Sequence, residues 1–181
     1  MSETVSQWSW KLETSLHNRV RRTLPSKYLE TTYIICMSYH GRYLPENPIK
    51  YKGDPTNIVY RSLWERKFMR YCDLTEEVDQ WQSEEFWIPY ISPVDNRVHR
   101  YFPDFFIKYK DKTGRYRTVV VEIKPKRQVE MPPQNPKRRT KAWANSVKTW
   151  VVNQAKWKAA REFCADRNYE FKIMTEDDLG V

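Results

Sequence analysis

The chain has 181 residues, enough for one domain with an extra segment and long enough to bury a core. Apolar residues make up 40%, which argues against a disordered chain, and no apolar run approaches the ~20 residues that span a bilayer, which argues against a transmembrane helix and a membrane partner. A net charge of +9 points to a polyanion, nucleic acid or an anionic surface, and an aromatic content of 15% suits base stacking as well as core packing.

Residues 1–36 read as an N-terminal extension. They carry Trp8 and Trp10, the basic run Arg19-Val20-Arg21-Arg22, and Tyr33-Ile34-Ile35-Cys36. A short helix over 6–22 fits this pattern, and the absence of an apolar stretch before a small-residue cleavage site argues against a secretory signal. The working domain is expected over 37–181, opening with a polar, proline-containing stretch to Pro55. Thr56 or Asn57 can cap a helix over 58–72, whose apolar side chains Tyr60, Leu63, Trp64, Phe68, Tyr71 and Cys72 recur at spacings of three and four.

Three strands follow by pattern. Residues 85–91 form the first, the turn Val94-Asp95-Asn96-Arg97 leads to a second over 99–109, and Lys112-Thr113-Gly114-Arg115 turns into a third over 116–124. Residues 125–141 read as a basic, proline-rich loop. A long helix over 143–165 repeats Trp143, Val147, Trp150, Gln154, Trp157, Arg161 and Cys164 at helical spacing, and 169–174 closes as a strand. The order is helix, three strands, helix, strand: an α/β (α+β) domain. Cys36, Cys72 and Cys164 form no C-x-x-C pair and fit a reducing compartment, while His17, His40 and His99 are too scattered for a histidine metal cluster.

The chemistry concentrates in Pro103-Asp104 and Glu122-Ile123-Lys124. Strand side chains alternate, so Glu122 and Lys124 emerge on one face. Asp104 joins them if the second and third strands pair as a hairpin. Glu122 follows the β-branched run Val119-Val120-Val121 and Asp104 lies near Phe102 and Phe106, so each carboxylate needs a partner or a metal. Phosphodiester cleavage uses such a set. Asp104, Glu122 and the Ile123 carbonyl can ligate Mg²⁺ or Mn²⁺, and Lys124 can orient water or stabilise developing charge. An E-x-K sequence alone is weak, because paired or solvated charges on a sheet are common.

With the element order, these residues resemble the PD-(D/E)XK nuclease superfamily. Phe171-Lys172-Ile173-Met174-Thr175-Glu176 resembles its TnsA-like branch. The head completion nucleases of T-even-type tailed phages are similar through Lys52-Gly53-Asp54-Pro55-Thr56, Tyr60-Arg61-Ser62, Tyr90-Ile91-Ser92-Pro93-Val94-Asp95 and Arg100-Tyr101-Phe102-Pro103-Asp104-Phe105. The resemblance spans residues 37–181. It implies a restriction-endonuclease-like core with a mixed central sheet flanked by helices, and Glu65 as a third carboxylate from the first helix. It implies action on double-stranded DNA in phage head completion, with portal or neck proteins as partners, in the host cytoplasm during assembly or in the virion.

Gln154 reads two ways, as an amide reaching the site from the second helix or as a hydrogen-bonded core residue. Lys126, Arg127, Lys137, Arg138, Arg139 and Lys141 suit backbone phosphates, although a charged loop of this kind can also stay unfolded. Lys156 and Arg100 suit phosphate or plain solvent. With no base-reading motif, little sequence preference is expected. Two other functions compete: a structural head or neck protein on a retired nuclease fold, and a partner-activated subunit of a transposase-type complex.

Overall fold

The computed structural model describes residues 40–180. The expected N-terminal extension and its helix lie outside the described residues. The chain opens with a small antiparallel ribbon of β1 (Gly41–Tyr43) and β2 (Ile58–Tyr60), joined through a 3-10 turn at Pro48–Lys50. Helix α1 (Leu63–Leu74) follows, then β3 (Val78–Ser83), β4 (Ile88–Ile91), β5 (Val98–Tyr101), β6 (Phe105–Lys110) and β7 (Tyr116–Ile123). Next come the one-turn α2 (Lys126–Val129), the long α3 (Lys141–Ala165), β8 (Glu170–Met174) and a short α4 (Glu176–Leu179).

Four strands form the central sheet in the order β3-β6-β7-β8, and β4 and β5 form a separate ribbon. The sheet is mixed: β6 runs antiparallel to both β3 and β7, whereas β8 lies parallel to β7. Parallel pairing requires a crossover, and α3 supplies it. Alternation along the strands splits the core in two. Phe105, Ile107, Val121, Ile123 and Met174 face α1, with Phe68, Met69 and Cys72. Phe171 and Ile173 face the other way, against Trp157 and Ala160 of α3 and against Ile88, Tyr90 and Tyr101 of the ribbon. The mixed sheet between helices is the expected fold class.

Several boundaries differ from the sequence expectation, each for a physical reason. Helix α1 starts at Leu63 rather than 58, because Ser62 is its cap and accepts from the Glu65 N–H at 3.1 Å, while residues 58–60 pair with β1. The first strand of the central sheet is β3, not the stretch at 85–91. Val78-Asp79-Gln80-Trp81-Gln82-Ser83 is mostly polar because it is an edge strand, and only Val78 and Trp81 are buried. The expected second strand breaks at Phe102-Pro103-Asp104 into β5 and β6, since proline has no N–H for a ladder and Pro103 is fully buried at the corner.

Both turns form where expected. Asn96 adopts φ 55° in the ribbon turn. In the β6–β7 turn Gly114 adopts φ 78°, and the Asp111 carboxylate accepts from the Thr113 and Arg115 N–H groups. Among the described residues no helix is long and apolar enough to cross a membrane.

Candidate active site

The antiparallel register of β6 and β7 pairs Phe105 with Val121. Extended by one position, it sets Asp104 across from Glu122, at the end of the apolar core of β7. Asp104 Oδ2 accepts the Ile123 N–H at 2.7 Å, so the backbone of one strand holds the carboxylate of the other. Lys124 turns back over both acids, its Nζ lying 2.9 Å from Glu122 Oε1 and 3.3 Å from Asp104 Oδ2. Glu122 Oε2 accepts from the Tyr101 hydroxyl at 2.6 Å. Glu122 is only 2% exposed and the Asp104 side chain 14%. The expected convergence of Asp104, Glu122 and Lys124 is therefore present.

The electrostatics follow from burial around that one ammonium. Desolvation and the neighbouring Glu122 raise the Asp104 carboxyl to about 8, against the pull of Lys124 and the Ile123 N–H. Burial works against the Lys124 cation, but Asp104 and Glu122 outweigh it and hold its pKa above the usual lysine range. Burial, with Glu122 behind it, keeps the Tyr101 hydroxyl protonated far above the ordinary tyrosine range. A single cation thus serves two carboxylates in a largely dry setting, which holds the Asp104 carboxyl well above the usual carboxylate range. A divalent ion would relieve that arrangement.

The donor set fits a hard cation. Asp104 Oδ1 has no partner among the described residues, and Asp104 and Glu122 present oxygens to one point. The Ile123 carbonyl lies beside them and accepts from Lys124 Nζ at 3.2 Å. Among the described residues no cluster of three histidine, cysteine, aspartate or glutamate side chains is placed to hold a metal. Two carboxylates with a carbonyl, water and substrate oxygens are the set Mg²⁺ commonly takes. Glu65 stands apart. Its Oε2 accepts the Arg61 N–H at 2.7 Å and its Oε1 the Ser62 hydroxyl at 2.9 Å, so it closes the start of α1. Its charge still reaches Asp104 and raises that carboxyl further.

The other expected residues scatter. Gln154 is half-buried and its side chain makes no hydrogen bond among the described residues; the buried amide on α3 is Asn153, 6% exposed, with its Nδ2 unpaired. Lys156 places its ammonium 5.7 Å from the centre of the Tyr101 ring, one side chain removed from Glu122. Arg100 lies on the ribbon with its guanidinium 4.9 Å over Trp87. Lys126 is drawn to the opposite acid, pairing with Asp177 at 2.8 Å. Arg127, Lys137, Arg138 and Lys141 are exposed with no ion pair among the described residues, and Arg139 lies over Trp143. The loop they occupy is stitched to α3: Trp143 Nε1 donates to the Pro133 carbonyl at 2.9 Å and Trp150 Nε1 to that of Val129 at 3.2 Å.

Sequence reasoning overlooked Tyr101 and Arg61. Arg61 pairs its guanidinium with Glu84 and also feels Asp104 and Glu65. Tyr101 was open to detection, as the inward partner of Ile88 and Tyr90 in a ribbon that alternates; Arg61 carried no such signal.

Residues 75–176 match the family described as TnsA-like endonuclease N terminal. The head completion nuclease of Enterobacteria phage T4 is 40% identical over 147 residues, covering 79% of this chain and 95% of that relative. The family match runs from the end of α1 to the start of α4 and so contains Asp104, Glu122 and Lys124. With more than half its length matched and a nuclease relative covered almost end to end, the chain belongs to the TnsA-like endonucleases.

Proposed function

We propose that this chain is a metal-dependent DNA endonuclease whose centre is Asp104, Glu122 and Lys124. The observation that carries the reading is the cross-strand pair of carboxylates bridged by a single ammonium at the end of β7. Asp104 and Glu122, with the Ile123 carbonyl, are the ligands for Mg²⁺ or Mn²⁺. When bound, the metal supplies charge neutralisation at the scissile phosphate and an acidified water. Glu65 joins as a more distant carboxylate, through water. Lys124 is displaced from the acids toward the substrate, where its compact charge orients the attacking water and stabilises charge on the phosphate. Gln154, half-buried on α3, is the helix side chain this reading assigns to reach the same centre.

Double-stranded DNA is the substrate under this reading. The exposed cations at Arg127, Lys137, Arg138, Arg139 and Lys141, with Lys156 and Arg100 nearer the acids, contact backbone phosphate and so give little sequence preference. The name of the T4 relative supports a place in phage head completion; action in the host cytoplasm during assembly or in the virion, with portal or neck proteins as partners, is part of the same proposal.

The decisive experiment is cleavage of plasmid and linear DNA with Mg²⁺ or Mn²⁺ by the wild type, Asp104→Ala and Lys124→Ala. Cleavage that needs the metal and disappears in both variants is the expected result. A wild type that binds DNA but cuts with neither metal would sink the free-standing enzyme and favour a structural or partner-activated protein.

A further inference from the structure

The β4–β5 ribbon has two unlike faces. Ile88, Tyr90 and Tyr101 point inward and are buried against α3. The alternate positions point outward: Trp87, Pro89 and Ile91 on one side, Val98, Arg100 and Phe102 on the other. Trp87 is 46% exposed, Phe102 44%, Ile91 62% and Val98 73%. Four large apolar side chains on one small sheet face are far more than scattered surface residues, and such a patch marks a binding surface.

Its position says what binds there. The register pairs Ile88 with Tyr101, so one further step sets Trp87 across from Phe102. Both aromatics therefore lie at the end of the ribbon where the chain enters the candidate site. Phe102 is two residues before Asp104, which limits their separation to about 7 Å. The ribbon is also fastened to the site, because Tyr101, on its inward face, donates to Glu122 at 2.6 Å. At the Trp87–Phe102 end the face carries one charge, Arg100, over the Trp87 ring at 4.9 Å; at the far end Lys158 and Glu162 of α3 line a hollow with Pro89, Ile91 and Val98.

We propose that this outward face is a stacking platform for unpaired DNA bases next to the scissile phosphate, so that the substrate is DNA with a single-stranded portion, such as a frayed or overhanging end. The inference deepens the nuclease reading and rests on it for the direction in which the strand is fed. Bases inside a duplex have their faces covered by neighbours; only unpaired bases offer a π-face to Trp87 and Phe102. Arg100 adds a cation for the backbone of the same strand and extends the stack over Trp87. The net charge of +9 complements a polyanion.

The test measures binding of labelled oligo(dT) and of a blunt duplex in EDTA, and cleavage of blunt against overhanging duplexes with Mg²⁺. Trp87→Ala and Phe102→Ala remove exposed side chains. Each is expected to weaken oligo(dT) binding about tenfold, to leave blunt-duplex binding unchanged and to erase a wild-type preference for overhanging ends. Trp87→Tyr and Phe102→Tyr retain a ring and are expected to retain both properties. Unchanged oligo(dT) affinity in the alanine variants, or an equal loss on blunt duplex, overturns the proposal and leaves the face to a protein partner. Binding in EDTA does not depend on cleavage, so the two readings fail separately. A wild type that never cuts removes the nuclease, while loss of oligo(dT) binding in the alanine variants would still uphold the platform. Cutting with oligo(dT) affinity untouched by the alanines does the reverse.

Discussion

At the scale of single residues, two buried carboxylates have unlike surroundings. Asp73 is fully buried and structural. It accepts from the Tyr43 hydroxyl at 2.9 Å and from the Glu46 and Asn47 N–H groups at 2.6 and 2.9 Å, tying the segment after β1 to the end of α1. Asp73→Ala leaves those donors without their acceptor and is expected to lower unfolding stability by about 2–4 kcal/mol, read as a shifted urea midpoint. Glu122 is equally buried but shared between Tyr101 and Lys124. Tyr101→Phe keeps the ring and removes the hydroxyl, and a hydrogen bond to a charged group contributes about 1.5–3 kcal/mol. The variant is expected to need more Mg²⁺ for half-maximal cleavage while binding duplex DNA in EDTA as the wild type does; an unchanged Mg²⁺ requirement would show that Tyr101 only packs. Asp104, Glu122 and Lys124 could be read from the sequence because an i, i+2 pair on a strand must share a face. Asn153 could not: one residue of helix turns a side chain by about 100°, so a stripe judged from spacing alone rotates easily onto its neighbour.

At the scale of elements, the apolar strands and the amphipathic helix were legible and the polar edge strand was not. β7 announces itself through Val119-Val120-Val121, but β3 offers only Val78 and Trp81 to the core, and its identity depends on the ladder it makes with β6. The long α3 shows the converse. Its buried residues, Asn153, Trp157, Ala160 and Cys164, all lie from its midpoint onward. The first half carries aromatic and basic side chains held by the loop before it through Trp143 and Trp150. That arm and loop are where the proposed function puts the phosphate contacts. Changing Lys137, Arg138 and Arg139 together to Gln is expected to weaken duplex binding uniformly across sequences. It should also make the log affinity against log salt shallower by about 2–3, since each phosphate contact contributes ~0.9 to that slope. A salt titration by fluorescence anisotropy measures it, and an unchanged slope would place the DNA elsewhere on the molecule.

At the scale of the whole molecule, the proposed nuclease assigns binding and cutting to different parts: cations spread over the surface, and a pair of acids at one sheet end. Removing divalent metal with EDTA is therefore expected to stop cleavage completely while low-salt duplex binding persists, which a cleavage gel and an anisotropy titration on the same sample would read together. Composition alone determined that the chain is basic and rich enough in apolar residues for a core, and local pattern determined the two main helices, the apolar strand β7, the closing strand β8 and the shared face of Glu122 and Lys124. Those properties are legible because charge is additive and side-chain periodicity is a local consequence of backbone geometry. Only the tertiary structure decided that Pro103 breaks one long strand into two, sending β5 to a separate ribbon whose inward Tyr101 reaches Glu122 and whose outward Trp87 and Phe102 stay exposed. It also decided that Glu65 closes its own helix rather than meeting Asp104 directly. Both outcomes turn on which distant segments meet and which buried polar groups they leave to be satisfied, and no local pattern encodes that.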